Sequence, residues 1–164
     1  KPYTRQEHNM LKMEERPLKE SSMVNLSTNR FGNLIIEKEN IITFEQGLLG
    51  FEELTQFAII AVEECLPFEW LVSLEDPVVA FPILDPTLLF SDYKPSLTKD
   101  DLVLLDIKKE MDVEMVCIVT LGETPENVTL NLKGPILINM KNKMGKQIVL
   151  TEDYYSLKQS FIQN

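Results

Sequence analysis

From Asn33 onward, apolar residues recur in short runs rich in Ile, Val and Leu, separated by Gly, Pro, Asn and Asp. Runs of that length and branching suit strands better than helices. The pattern predicts strands over 33–37, 41–44, 57–63, 69–74, 79–84, 112–120, 127–132, 135–140 and 147–151. Most of the links between them are too short for a crossover helix, so neighbouring strands are expected to pair antiparallel. A hairpin turn is predicted over 141–146, where Asn142 and Gly145 supply the turn chemistry, and a second over 37–40. Together they imply a meander.

Helical signals are few. Asp85 precedes Pro86 and Thr87, a capping acid with proline at the first helical position, which predicts a single turn over 85–90. Thr98 can cap a helix over 98–104, with Asp101 three residues on in the capping-box position. The segment 153–161 is expected to form a terminal helix, and Met10, Leu11 and Met13 could share one side of a short helix ended by Pro17. The first 22 residues are polar, charged and without strand alternation, and are expected to lie outside the folded domain. The fold expected of 23–164 is mainly β: a single small antiparallel β-barrel-like domain with one to three short helices. Closure of the sheet is the economical way to hide its edges.

A chain of 164 residues that is 44% hydrophobic can bury one core. Its net charge is −10. Residues 1–22 hold five basic and four acidic side chains, a net of +1, which leaves −11 for the remainder. Such a field repels nucleic-acid backbones and attracts basic protein surfaces, so direct binding of nucleic acid is not expected. Cys65 and Cys117 stand far apart among apolar neighbours, which suits free thiols in a reducing compartment. No apolar run is long enough to span a bilayer and no secretory signal pattern opens the chain, so a cytoplasmic protein away from membranes is expected.

The one histidine, His8, lies in the first segment. The expected domain therefore lacks the base that Ser-His-Asp and Cys-His machinery requires, and the usual ligand of catalytic zinc. The six glycines form neither phosphate-binding pattern, and no cofactor or metal site is expected. A carboxylate-dependent hydrolase is the competing reading, with Asp76, Asp85 and Asp92 in loops near aromatics as the place for a catalytic pair. Acids beside proline are more often turn or cap residues. The segments 47–57 and 67–86 instead combine turns, large aromatics and acids, the composition of apolar anchors ringed by charge. Phe51, Glu52 and Glu53 in the first loop, and Asp76, Asp92 and Tyr93 in later ones, are the expected partner-binding residues. The acids stand beside turns, and each aromatic stands next to an acid that would carry it outward.

The order IITFEQGLLGFEE at 41–53, PFEWLVS at 67–73, Asp85-Pro86, Asp92-Tyr93, NLKGPILIN at 131–139 and GKQIVL at 145–150 resembles the FliW family of flagellar assembly factors along 23–164. The chain has Leu49, Val72 and Gly134 where that family often has Pro, Gln and Ala. The resemblance implies a compact antiparallel barrel without catalytic activity that binds flagellin in the cytoplasm. It also implies binding to CsrA, an RNA-binding translational repressor. The two partners would compete, so that export of flagellin frees the protein to occupy CsrA and relieve repression of flagellin translation.

Overall fold

The computed structural model describes residues 2–5 and 22–161. The strands are β1 (Tyr3–Thr4), β2 (Met23–Thr28), β3 (Gly32–Glu37), β4 (Ile42–Thr43), β5 (Gln56–Ala61), β6 (Glu69–Ser73), β7 (Ala80–Leu84), β8 (Val113–Thr120), β9 (Thr129–Leu130), β10 (Ile136–Asn139), β11 (Met144–Gln147) and β12 (Gln159–Ser160). β4 to β8 form an antiparallel meander, β10 pairs with both β8 and β11, and β11 returns to β4, closing a barrel of seven strands. The closing pair, Met144 with Thr43, is parallel.

The expected fold class holds, and burial explains why its strands read as continuous apolar runs. On β5, Phe57 and Ile59 point into the barrel with Phe44, Leu71, Ile83 and Ile136. Ala58 and Ile60 point outward, where Leu26, Leu34 and Ile36 of the β2–β3 hairpin cover them. A third cluster, including Leu84, Phe90, Leu105, Cys117 and Leu137, covers the opposite outer face. A strand buried on both faces loses its alternation.

The helical predictions over 85–90 and 98–104 are met by a 3-10 turn, Pro86–Leu88, and by α1, Lys99–Leu104. Asp85 accepts from the Thr87 amide at 2.9 Å, and Thr98 and Asp101 form the reciprocal capping box. Residues 129–139 run as one course beside β8, split by a bulge at 131–135. Asn131 Oδ1 builds that bulge by accepting from the amides of Lys133 and Gly134.

Several expectations are corrected. The hairpin turn is shorter than 141–146, because Asn139 and Asn142 side chains accept from the amides of Lys141 and Met144 and tighten it. The strand therefore starts at Met144, and 147–151 is mostly its extended continuation. The 37–40 turn joins no hairpin: Lys38–Asn40 is a 3-10 turn that carries the chain from the outer hairpin into the barrel. β2 went unpredicted although Val24, Leu26 and Thr28 alternate, since the polar residues between them masked the run. The segment 153–161 is not a helix. Its Ser156 carbonyl accepts from Leu132 and Lys133, and Gln159–Ser160 pair with β9, so its backbone bonds go to neighbours rather than along a helix.

Residues 3–5 do not lie outside the fold. Tyr3 and Thr4 pair with Ala61 and Ile60 on β5, and Arg5 pairs with Glu69 and Glu114. The short helix expected near residues 10–16 lies outside the described residues.

Candidate partner-binding surface

The loop 44–55 is held from below by side chains that face the barrel. Phe44 is fully buried, and its ring lies where a Cβ on residue 145 would sit, 2.4 Å from Phe44 Cε1, so only glycine fits there. Gly47 has φ +63°, and a Cβ on it would meet the Glu52 backbone at 2.5 Å. These two glycines let the loop fold tightly over the barrel end. Leu48 is buried while its neighbour Leu49 is 56% exposed. Gln147 fixes the tip: its Oε1 accepts from the Leu49 amide at 3.0 Å and its Nε2 donates to the Gly134 carbonyl at 3.1 Å.

The turn closes with the Phe51 amide donating to the Leu48 carbonyl, which presents the Phe51 ring edge-on to Phe81 with centroids 5.1 Å apart. Phe51 stays 38% exposed, a ring seated on one side and open on the other. Glu52 and Glu53 are exposed beside it. Glu52 accepts from the Gly50 amide at 3.1 Å, and that bond holds its carboxyl below the usual range. The β6–β7 turn lies alongside, because Glu75 accepts from the amides of Gln56 at 2.8 Å and Thr55 at 2.6 Å. Those two bonds lower the Glu75 carboxyl in the same order. Asp76 is exposed in this turn, and Val78 is 82% exposed.

The structure thus brings Phe51, Glu52, Glu53 and Asp76 to one end of the barrel and adds Leu49 and Val78. The sequence reasoning missed those two. Leu49 between glycines and Val78 after Asp76-Pro77 are apolar residues at turn tips, and that was the available signal.

Asp92 and Tyr93 belong elsewhere. Asp92 is exposed, but Tyr93 is only 6% exposed, and the expectation that its acidic neighbour carries it outward is corrected. Its hydroxyl donates to the Leu132 carbonyl at 2.6 Å, and its ring meets Tyr155 edge-on at 4.8 Å. A buried ring with a satisfied hydroxyl outweighs the charge next door. Cys117 is buried beneath it, whereas Cys65 is half-buried.

Among the described residues no group of acids, cysteines and histidines is placed to hold a metal, and no helix is long and apolar enough to cross a membrane. Backbone hydrogen bonds hold the carboxyls of Glu52, Glu75 and Glu152 below the usual range, the opposite direction from the raised pKa of a general acid near neutral pH. A seven-stranded closed sheet with exposed apolar residues and carboxylates at one end defines a small, mainly antiparallel β-barrel domain. The comparisons make this specific. The chain matches the FliW protein family over residues 25–161, and it belongs to that family.

Its relatives include the flagellar assembly factor FliW of Clostridium botulinum, 39% identical over 132 residues, which spans 80% of this chain and 94% of the relative. The factor of the same name from Pseudothermotoga lettingae is 42% identical over 130 residues, 79% of this chain and 83% of the relative. A solved crystal structure of the flagellar assembly factor FliW superposes with a TM-score of 0.80 at 33% identity, covering 86% of this chain and 99% of that one. The chain is therefore a flagellar assembly factor by family.

Proposed function

We propose that this chain is a non-enzymatic cytoplasmic regulator that binds flagellin and, when free of it, binds and antagonises CsrA. The observation that carries the reading is the barrel end where Leu49, Phe51 and Val78 are exposed among Glu52, Glu53 and Asp76. Apolar anchors with a polar rim are what interfaces use, and the acids steer basic partners. CsrA, as an RNA-binding protein, carries a basic face. Seating a chain of net charge −10 beside that face weakens RNA binding through the same electrostatics that drive it, without covering the RNA site. Asp92 keeps its place as a candidate contact, on a separate part of the surface.

The test is co-elution. Mixed with purified flagellin or CsrA, the parent chain is expected to shift on size exclusion, and the double substitution Glu52→Lys/Glu53→Lys is expected to lose the shift while melting like the parent. Both side chains are exposed, so the fold tolerates the change, whereas a basic partner meets like charge. Retained co-elution with both partners would remove this loop from either interface.

A further inference from the structure

β6 pairs with β5 from Phe57 to Ala61, but β4 pairs with its other edge only at Phe57 and Gln56. The rest of that edge is a seam in the barrel wall. Tyr3 and Thr4 fill it, antiparallel to Ala61 and Ile60. Strand alternation then puts Arg5 on the same face as Ile59, toward the barrel interior. There Arg5 Nε donates to Glu69 Oε2 at 2.8 Å and Nη2 to Oε1 at 2.6 Å, a two-pronged grip, and Nη1 forms an ion pair with Glu114. The three side chains are 15%, 17% and 33% exposed.

Beside the guanidinium a cavity of about 220 Å³ opens, lined by Thr4, Asn40, Ile42, Ile59, Met140 and Lys143 as well as Arg5. Asn40 is 7% exposed, and its Oδ1 has no hydrogen-bond partner among the described residues. These residues sit at the barrel mouth opposite the Phe51 loop, since Glu69 and Glu114 stand in the first residues of β6 and β8 while loop 44–55 follows the end of β4.

The mouth holds the Arg5 guanidinium between two carboxylates. Two carboxylates drawn together at a barrel mouth repel one another, and a cation held between them offsets both that repulsion and the cost of partial burial. Forked geometry favours Arg over Lys. The β5 edge, Glu69 and Glu114 all lie within residues 25–161, the part that matches the family. The occupant comes from outside that range, attached by a two-residue ladder.

We propose that this seam is a docking site for an extended segment of a partner protein that carries an arginine, and that residues 3–5 occupy it in cis as a competing strap. Backbone pairing along β5 supplies affinity and the acid pair supplies side-chain selectivity, the division of labour seen when a peptide adds to a sheet edge. The tether gives the strap a high local concentration, so a partner must displace it. The proposal stands apart from the Phe51 loop, which lies at the other end.

The probe is a fluorescent peptide, Pro-Tyr-Thr-Arg-amide, titrated by anisotropy against the full chain. Thr4→Pro with Arg5→Ala empties the seam by breaking the short ladder and removing the guanidinium. The emptied chain is expected to bind the peptide at least about tenfold tighter than the parent, and a Gln-for-Arg peptide about tenfold more weakly, the scale of one charge-assisted hydrogen bond. Adding Glu69→Gln and Glu114→Gln to the emptied chain is expected to erase the preference for Arg. Equal binding by parent and emptied chains, or equal binding of the two peptides, overturns the proposal, as does strap exchange between copies seen as a dimer. In the otherwise unaltered chain, Glu69→Gln/Glu114→Gln gives a check that needs no emptied variant. Hydrogen exchange at residues 3–5 and 60–61 is expected to quicken while the rest of the barrel keeps its protection, and unchanged exchange overturns the grip.

Discussion

Replacing Tyr93 by Phe separates a structural role from an interface role. The ring stays, packed edge-on against Tyr155 at 4.8 Å, but the hydroxyl that donates to the Leu132 carbonyl at 2.6 Å is lost. Leu132 is 4% exposed and lies within the 131–135 bulge. Its carbonyl would lose that donor in a site closed to bulk water. Leaving a buried acceptor unsatisfied costs about 1–3 kcal/mol. Taking ~2 kcal/mol, and roughly 2–4 °C per kcal/mol for a chain of this length, the Tm is expected to fall by about 4–8 °C. Co-elution with flagellin and CsrA is expected to survive, because the hydroxyl points inward. A thermal melt by circular dichroism and size exclusion of the same sample read both quantities. A Tm within about 1 °C of the parent together with lost co-elution would refute the reasoning and return Tyr93 to the interface.

Binding to CsrA is expected to weaken as salt rises, mainly through slower association, because long-range attraction is screened beyond about 8 Å at physiological ionic strength. Surface plasmon resonance across a salt series checks this, and a flat association rate would point to an apolar interface. The Cys117 thiol is pushed up to about 12 by burial, with Asp85 adding to the rise and Tyr93 opposing it. In the unfolded chain the thiol ionises near its ordinary 9.0, so the folded state holds the proton longer and this contribution is lost as pH rises from about 9 toward 12. A Tm series over that range is expected to slope down less steeply in Cys117→Ala, relative to that variant's own neutral-pH Tm. At pH 8 in the native state a thiol reagent is expected to modify Cys65 and spare Cys117, and equal rates would contradict the burial.

Local chemistry made part of the structure legible. The capping box of Thr98 and Asp101, the Asp85 cap, and most strand positions follow from residues a few places apart, and the structure has them. The glycines and acids of 47–53 announced a tight charged loop for the same reason. What the sequence could not determine is which distant partner each segment meets. The parallel closure of Met144 on Thr43, the β2–β3 hairpin over Ala58 and Ile60, and the refusal of 153–161 to form a helix are decided by contacts across the chain. Exposure is decided in the same way. Phe51 and Tyr93 each stand beside an acid, yet one ring rests half-open on Phe81 while the other is sealed under Tyr155, because the surface each lands on is made by other strands. Arg5 is the sharpest case: in a polar segment it reads as solvated charge, and only the placement of Glu69 and Glu114 inside a barrel mouth gives it a place in the fold.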